Sequence, residues 1–393
     1  MRSIVGSSIS QVDGTPAPSG VSNAPRFWET ADRKDLQQLL DKEPAASYSD
    51  EDVFGYMASG VDLSVLPRRV AIGVSSRGNF FMAEIARVLE DAFTQLGTQV
   101  RMFSESEALT LSFTDPVLIV APHEFFLLGN SKELLKALTR APALIMVNTE
   151  QPQTPWFGVA ESYLKKASAV LDVNFESARH LAAAGYKAFV LPLAYSNYIA
   201  RTFDGATLPA HELFQPLSNG PQTVPVHYSD RPIDILFVGT ASLRRRAFFA
   251  GAARFLADKN CFLYMPEGDT PFAAGEARTI NTAAFIALAR RSKILLNIHR
   301  DDVPYLEWQR IVTFGIMQKT LVVTDHCNPG PCLQANVDYL DGPLEAVPRI
   351  CELALSNCDI AEAIAERAFE RLEANYPMEQ VLGRFFTALA RVH

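Results

Sequence analysis

Short apolar runs alternate with helical periods twice along this chain, and a stretch without period separates the two series. This pattern is best met by two open parallel sheets in succession, because each strand-helix-strand unit returns the chain to the same edge of its sheet. The first series opens with RVAIGVSS at residues 69–76 and the helical stretch FFMAEIARVLEDAFTQLG, whose Ile85, Val88, Leu89 and Phe93 recur at helical spacing before Gly97 stops it. QVRMF, VLIVAP, ALIMVNT, AVLDVN and AFVLPL continue it to about residue 195. The second series begins at DILFVGT and runs through CFLYM, KILLNIH and TLVVTD before ending in helical runs.

These boundaries predict six regions. Residues 1–25, rich in Ser, Gly and Pro, read as a disordered tail, and residues 26–66 as a helical appendage with helices around FWETADRKDLQQLL and SDEDVFGYM. A first domain follows over 67–199, a Pro/Gly/Ser-rich connection over 200–230, a second domain over 231–375 and a C-terminal helix over 376–393. The fold class expected is α/β, with two doubly wound sheets facing one another across a cleft.

Composition narrows the function classes. The 393 residues include 36 Lys/Arg and 44 Asp/Glu, a net charge of −8, so nonspecific attraction to nucleic acid or anionic lipid is not expected. No apolar run approaches the roughly 18 residues of a membrane span, and MRSIVGSSIS lacks the apolar centre of a signal peptide; a cytoplasmic protein is expected. The five cysteines form no CxxC pair and no metal centre is expected. Gly239 to Asp325 runs against the overall charge, with 12 Lys/Arg against 8 Asp/Glu.

Ligands of open parallel sheets bind beyond the carboxyl ends of the strands, where helix N-termini point at them. At those positions stand Gly239, Thr240, Ser242, Arg244, Arg245 and Arg246 after DILFV, and Asn297, His299 and Arg300 at the end of KILLNIHR. A turn of free N–H groups with one or two guanidiniums suits a nucleoside diphosphate. Consecutive helical residues point about 100° apart, so the three arginines cannot all face one ligand. Glu307 and Arg310, three apart, can pair along one helix face, either as a surface ion pair or as a carboxylate held ready for sugar or ribose hydroxyls. In the first series His123, Glu124 and Glu150 lie just past strand ends, with Asn148 and Gln151 as further hydrogen-bonding groups. His123 or Glu150 can take a proton from an acceptor hydroxyl; equally, His123 can cap a helix and Glu150 pair with a lysine. Gly73 to Gly78 lacks dinucleotide spacing, and Asp301-Asp302 reads as a solvated loop rather than a metal site.

DILFVGT followed by Arg, KILLNIHR and QRIVTFGIMQKTLVVTD together resemble the C-terminal domain of the group 1 glycosyltransferases, in particular the spore-maturation CgeB-like branch. The likeness covers roughly 230 to 375, and is only architectural over 67 to 195. It implies a GT-B fold of two Rossmann-like domains and metal-independent sugar transfer from a nucleotide-diphosphate donor to a polysaccharide, glycolipid or protein, as in cell-surface polysaccharide synthesis. It places Gly239, Arg244 and Arg245 in the phosphate-binding turn, His299 and Arg300 in the loop after the next strand, and Arg310 at the opening of the following helix. One departure is visible: where many members carry a donor-binding Glu three residues beyond Arg310, this chain has Thr313, and Tyr305 stands eight before it. An inactive GT-B-shaped scaffold and a nucleotide-sugar epimerase are the alternative readings.

Overall fold

The computed structural model describes residues 24–42, 60–210, 212–214, 225, 227–267, 279–328 and 332–391. Most of the expected N-terminal tail and the helix expected around SDEDVFGYM lie outside them, while residues 24 and 25 open a helix, Ala24–Thr30.

Two all-parallel sheets form the frame. The first carries six strands in the order β2-β1-β3-β4-β5-β6: β1 Arg69–Gly73, β2 Gln99–Phe103, β3 Val117–Val120, β4 Leu144–Asn148, β5 Ala169–Asp172 and β6 Ala188–Val190. The second carries five in the order β11-β10-β9-β7-β8: β7 Ile233–Val238, β8 Cys261–Tyr264, β9 Ser292–Asn297, β10 Leu321–Asp325 and β11 Leu340–Gly342. β3, β4, β5 and β10 are buried at every position, because helices cover both faces of a parallel sheet and leave no side for water.

Local chemistry sets the ends of the elements. Helix Phe80–Gln95 is capped by Asn79, whose side chain accepts from the Phe81 N–H at 3.1 Å. It buries Ile85, Val88, Leu89 and Phe93, and ends at Gly97, which takes a positive φ of 81° that a side chain would strain.

Each end of the chain packs on the domain far from it in sequence. The C-terminal helix Met378–Arg391 crosses to the first domain, where Phe386 meets Phe93 edge-on with ring centroids 5.4 Å apart and Phe385 meets Phe189 at 5.1 Å. The crossing is pinned by Tyr195, whose N–H donates to the Tyr376 carbonyl at 3.0 Å and whose carbonyl accepts from Met378 N–H at 2.8 Å. Near the other terminus Trp28 is 2% exposed, donates its indole N–H to the Asp341 carbonyl at 2.9 Å, and lies so close to Gly342 that a Cβ there would stand 2.9 Å from its ring. Arg33 then pairs with Asp359, joining Arg33–Asp41 to the long helix Cys358–Asn375.

Candidate functional site

The carboxyl ends of both sheets open onto one cavity of about 350 Å³. The first domain lines it with Asn79 after β1, Thr149 and Gln151 after β4, Val173 and Asn174 after β5, and Leu193 after β6. The second supplies Val238, Gly239 and Thr240 after β7, Tyr264 and Pro266 at the end of β8, and Tyr305 to Arg310 after β9. Phe285 and Phe314, stacked with centroids 3.9 Å apart and 14° between their planes, add a flat aromatic wall, and Phe81 of the first domain reaches Phe314 edge-on at 6.3 Å.

At the second domain's edge two guanidiniums converge. Arg245, 2% exposed, donates from Nε to the Ile298 carbonyl at 2.8 Å and from Nη1 to the Thr240 carbonyl at 2.9 Å, and its Nη2 lies 3.4 Å from Glu307. Arg310 donates to Asn297 Oδ1 at 2.7 Å and pairs with Glu307. Both guanidinium carbons lie over the Phe237 ring, at 5.4 and 5.7 Å. Gly239 is what lets them meet: a Cβ on it would stand 3.0 Å from Arg245 Nη1 and 3.1 Å from Arg310 Nη2. Burial and the neighbouring Arg310 bring the Arg245 pKa down to about 10, which leaves it charged at neutral pH. Burial works against the charge on Glu307, but Arg310 and Arg245 outweigh it and hold the carboxyl below its ordinary range.

Arg244 faces elsewhere. Its Nη2 meets Asp325 at 2.6 Å, its Nε meets the exposed Asp302 at 2.6 Å, and its Nη1 donates to the His299 carbonyl at 3.2 Å. Arg246 pairs with Glu267 on the surface. The three consecutive arginines thus take three directions, and of them only Arg245 reaches the Gly239 turn. His299 is 1% exposed, with Nδ1 2.8 Å from Asp325 Oδ1 and Nε2 2.7 Å from the Tyr305 carbonyl. Both partners offer acceptor oxygens, which favours the protonated ring, able to donate from both nitrogens. Burial would lower its pKa; Asp325 outweighs burial and raises it. His299 therefore braces the loop Ile298–Tyr305. Asn297 is fully buried, holding Arg310 and donating to Thr324 Oγ1 at 3.0 Å. Arg300 is half-buried and accepts through its carbonyl from Ser242 Oγ at 2.8 Å. Glu307 precedes the helical segment expected to carry it, and Gln309–Gly315 is a π-helical turn in which the Thr313 carbonyl accepts from Gln318. Thr313 is not among the residues lining the cavity.

The first domain places His123 and Glu150 together, outside the cavity lining. His123 is 4% exposed; its Nε2 is 3.3 Å from Glu150 Oε1 and 4.0 Å from Glu124 Oε1, and its Nδ1 has no partner among the described residues. Burial lowers the His123 pKa to about 4 and raises those of Glu150 and Glu124. The ring is then neutral at pH 7; with Nε2–H directed at Glu150, the basic lone pair is on Nδ1. Glu124 also accepts from the Asn79 N–H at 2.9 Å, beneath Gly78, where a Cβ would lie 2.1 Å from its Oε2.

Sequence reasoning did not single out Asp325, Asn79, Thr149, Asn174, Tyr305 or the Phe285–Phe314 stack. Asp325 was open to discovery as a carboxylate ending a strand; the aromatic wall pairs residues 29 apart and has no local signature. Among the described residues no group of three or more His, Cys, Asp or Glu side chains is arranged to hold a metal ion.

No protein-family model matches the chain, and no curated protein matches its sequence. Solved structures match its fold. An α-glucosyltransferase in complex with UDP and a 13-mer DNA containing a HMU base superposes with a TM-score of 0.52 at 10% identity, over 82% of this chain and 99% of that one. An α-glucosyltransferase in complex with UDP and a 13-mer DNA with a central A:G mismatch gives 0.50 at 12% identity, over 77% and 94%. The architecture is the α/β GT-B type: two parallel-stranded sheets with interleaved helices.

Proposed function

We propose that this chain transfers a sugar from a nucleotide-diphosphate donor to a hydroxyl-bearing acceptor such as a polysaccharide, a glycolipid or a protein. The observation that carries the reading is the Gly239–Thr240 turn, which lines the cavity beside Arg310 and Glu307, has Arg245 buried behind it, and faces first-domain residues across the same cavity. The Gly239–Thr240 turn and the Arg310 guanidinium, with the buried charge of Arg245 behind them, suit a diphosphate, whose charge grows as the glycosidic bond breaks. The Phe285–Phe314 wall suits a nucleobase, and Glu307, held by both arginines, suits ribose or sugar hydroxyls. Asn79, Thr149, Gln151 and Asn174 face the same cavity from the first domain as uncharged hydrogen-bonding groups, and closure around the donor favours transfer over hydrolysis. The UDP complexes of the structural neighbours agree with a nucleotide-linked donor.

His123 and Glu150 act in this reading as one base: Glu150 orients the ring, and Nδ1 accepts the acceptor's proton as the sugar moves. The reading extends to a soluble, cytoplasmic, metal-independent enzyme of the CgeB-like branch serving surface-glycan synthesis, in which Arg244, His299, Arg300 and Thr313 support the donor loop. Calorimetry with UDP, then transfer and hydrolysis assays with nucleotide sugars, tests it. Binding that weakens at least tenfold in Arg310→Ala, accompanied by transfer, is expected. Absence of nucleotide binding sinks the proposal; binding without turnover points to the scaffold, and an isomerised donor to an epimerase.

A further inference from the structure

The loop after β4 joins two places. Thr149 and Gln151 line the cavity, Glu150 between them turns to His123, and six residues after Glu150, Trp156 stands second in helix Pro155–Leu164 with 42% of its surface exposed. The Trp156 ring lies beside the base, its centroid 6.3 Å from that of His123 and tilted by 41°. The exposed part of the indole is apolar area open to a ligand beside the base. The loop leading to it carries two amides: Gln153 is exposed and donates to Gln151 Oε1 at 2.7 Å. The second anomaly is the imidazole Nδ1, buried and unpartnered.

Taking the cleft as a sugar-transfer site, we propose that Trp156 is the platform of the acceptor subsite and that the acceptor is a carbohydrate. The apolar C–H face of a pyranose stacks on an indole, as apolar groups do on aromatic faces, while its hydroxyls meet amides at the ring edge. A sugar resting there lies beside His123 and next to the loop whose Thr149 and Gln151 line the cavity. A phosphodiester acceptor fits less well, because Glu124 and Glu150 lie beside His123 and no positive charge is contributed by His123 at pH 7.

The three tryptophans make the test specific: Trp28 and Trp308 are 2% and 4% exposed, so quenching of intrinsic fluorescence by acrylamide reports on Trp156. On a printed glycan array the wild type should bind a defined set of glycans. Those glycans, added free, should protect Trp156 from acrylamide. Trp156→Ala should lose array binding at least tenfold and Trp156→Phe retain most of it, while both keep wild-type UDP affinity, which shows that the donor site and the fold are intact. A blank array with UDP bound normally, or full glycan binding by Trp156→Ala, overturns the platform. Preferential binding of short DNA duplexes, lost in Trp156→Ala, overturns the carbohydrate assignment. Loss of UDP binding by the wild type itself is the separate failure of the donor reading.

Discussion

The two sheet edges that face each other across the cavity handle charge in opposite ways. At the second domain's edge, charges are favoured: Arg245, Arg310 and Glu307 interlock, and Asp325 raises the pKa of His299. At the first domain's edge, charges are suppressed: burial lowers the His123 pKa to about 4 and raises those of Glu150 and Glu124. The same doubly wound topology thus yields one edge suited to holding an anion and another suited to moving a proton. The difference lies in the side chains at the strand ends, since both edges are carboxyl ends of parallel strands.

The largest expected effect breaks the proton-handling edge. His123→Ala should lower kcat by roughly 10² to 10⁴ while donor affinity stays near wild type, since the residue lies outside the donor cavity. Glu150→Gln should lower kcat in the same direction, because it removes the partner of Nε2. Steady-state transfer kinetics beside UDP calorimetry separates the two quantities; if full turnover survives both substitutions, a route in which the donor's own phosphate takes the proton replaces the dyad.

Next in size is a contrast between neighbours. Arg245→Met removes a buried charge, leaves the Thr240 and Ile298 carbonyls without their donor, and takes one of two cations from Glu307; a loss of roughly 3 to 5 kcal/mol in urea unfolding is expected. Arg244→Met should cost less, because Asp325 keeps His299 and the Asp302 end of the pair is exposed. Equal losses would show that the inward and outward arginines are not distinguished as described.

The histidines carry the comparison into pH. His123 has a folded pKa below its unfolded value near 6.5, so the unfolded chain binds its proton first and stability falls as pH drops from about 6.5 to about 4. His299 has a raised folded pKa; its contribution is complete below about 6.5 and is lost as pH rises through the folded value. In urea midpoints measured against pH, His123→Gln should therefore gain on the wild type toward acid, by up to roughly 3 kcal/mol. His299→Gln should fall furthest behind at acid pH and close the gap toward alkaline. Parallel curves for wild type and both variants would reject the opposed charge states.

Much of this was legible in the sequence, for reasons that also mark where legibility stops. Continuous apolar runs such as VLIV and LVVT announce strands covered on both faces, and the change of period places the site at their ends. Direction within a helix was not legible: Arg244 and Arg245 are adjacent, and only the packing of helix Leu243–Gly251 turns one inward and the other toward Asp325. Nor was partnership across strands. His123 and Glu150 follow different strands, and read one at a time they appear as rivals for one role rather than as neighbours 3.3 Å apart. The docking of Trp28 onto Asp341 joins residues 313 apart, a distance over which periodicity carries no information.

The smallest effect tests how tightly the anion-holding edge is coupled. Glu307 touches Arg310 through one oxygen and Arg245 through the other, so Arg310 is oriented by a carboxylate that is itself held in place. Glu307→Gln keeps the shape while removing the charge, Arg310→Met keeps the stem, and the double variant closes a cycle on UDP affinity. Because Asn297 also holds Arg310 and Arg245 still faces the turn, neither single change dismantles the edge, and a coupling of about 1 kcal/mol is expected rather than several. Additivity within about 0.5 kcal/mol would mean that Glu307 and Arg310 serve the donor independently. In that event the second domain's edge would be a set of separate charges, and the contrast with His123 and Glu150 in the first domain would rest on His299 and Asp325 alone.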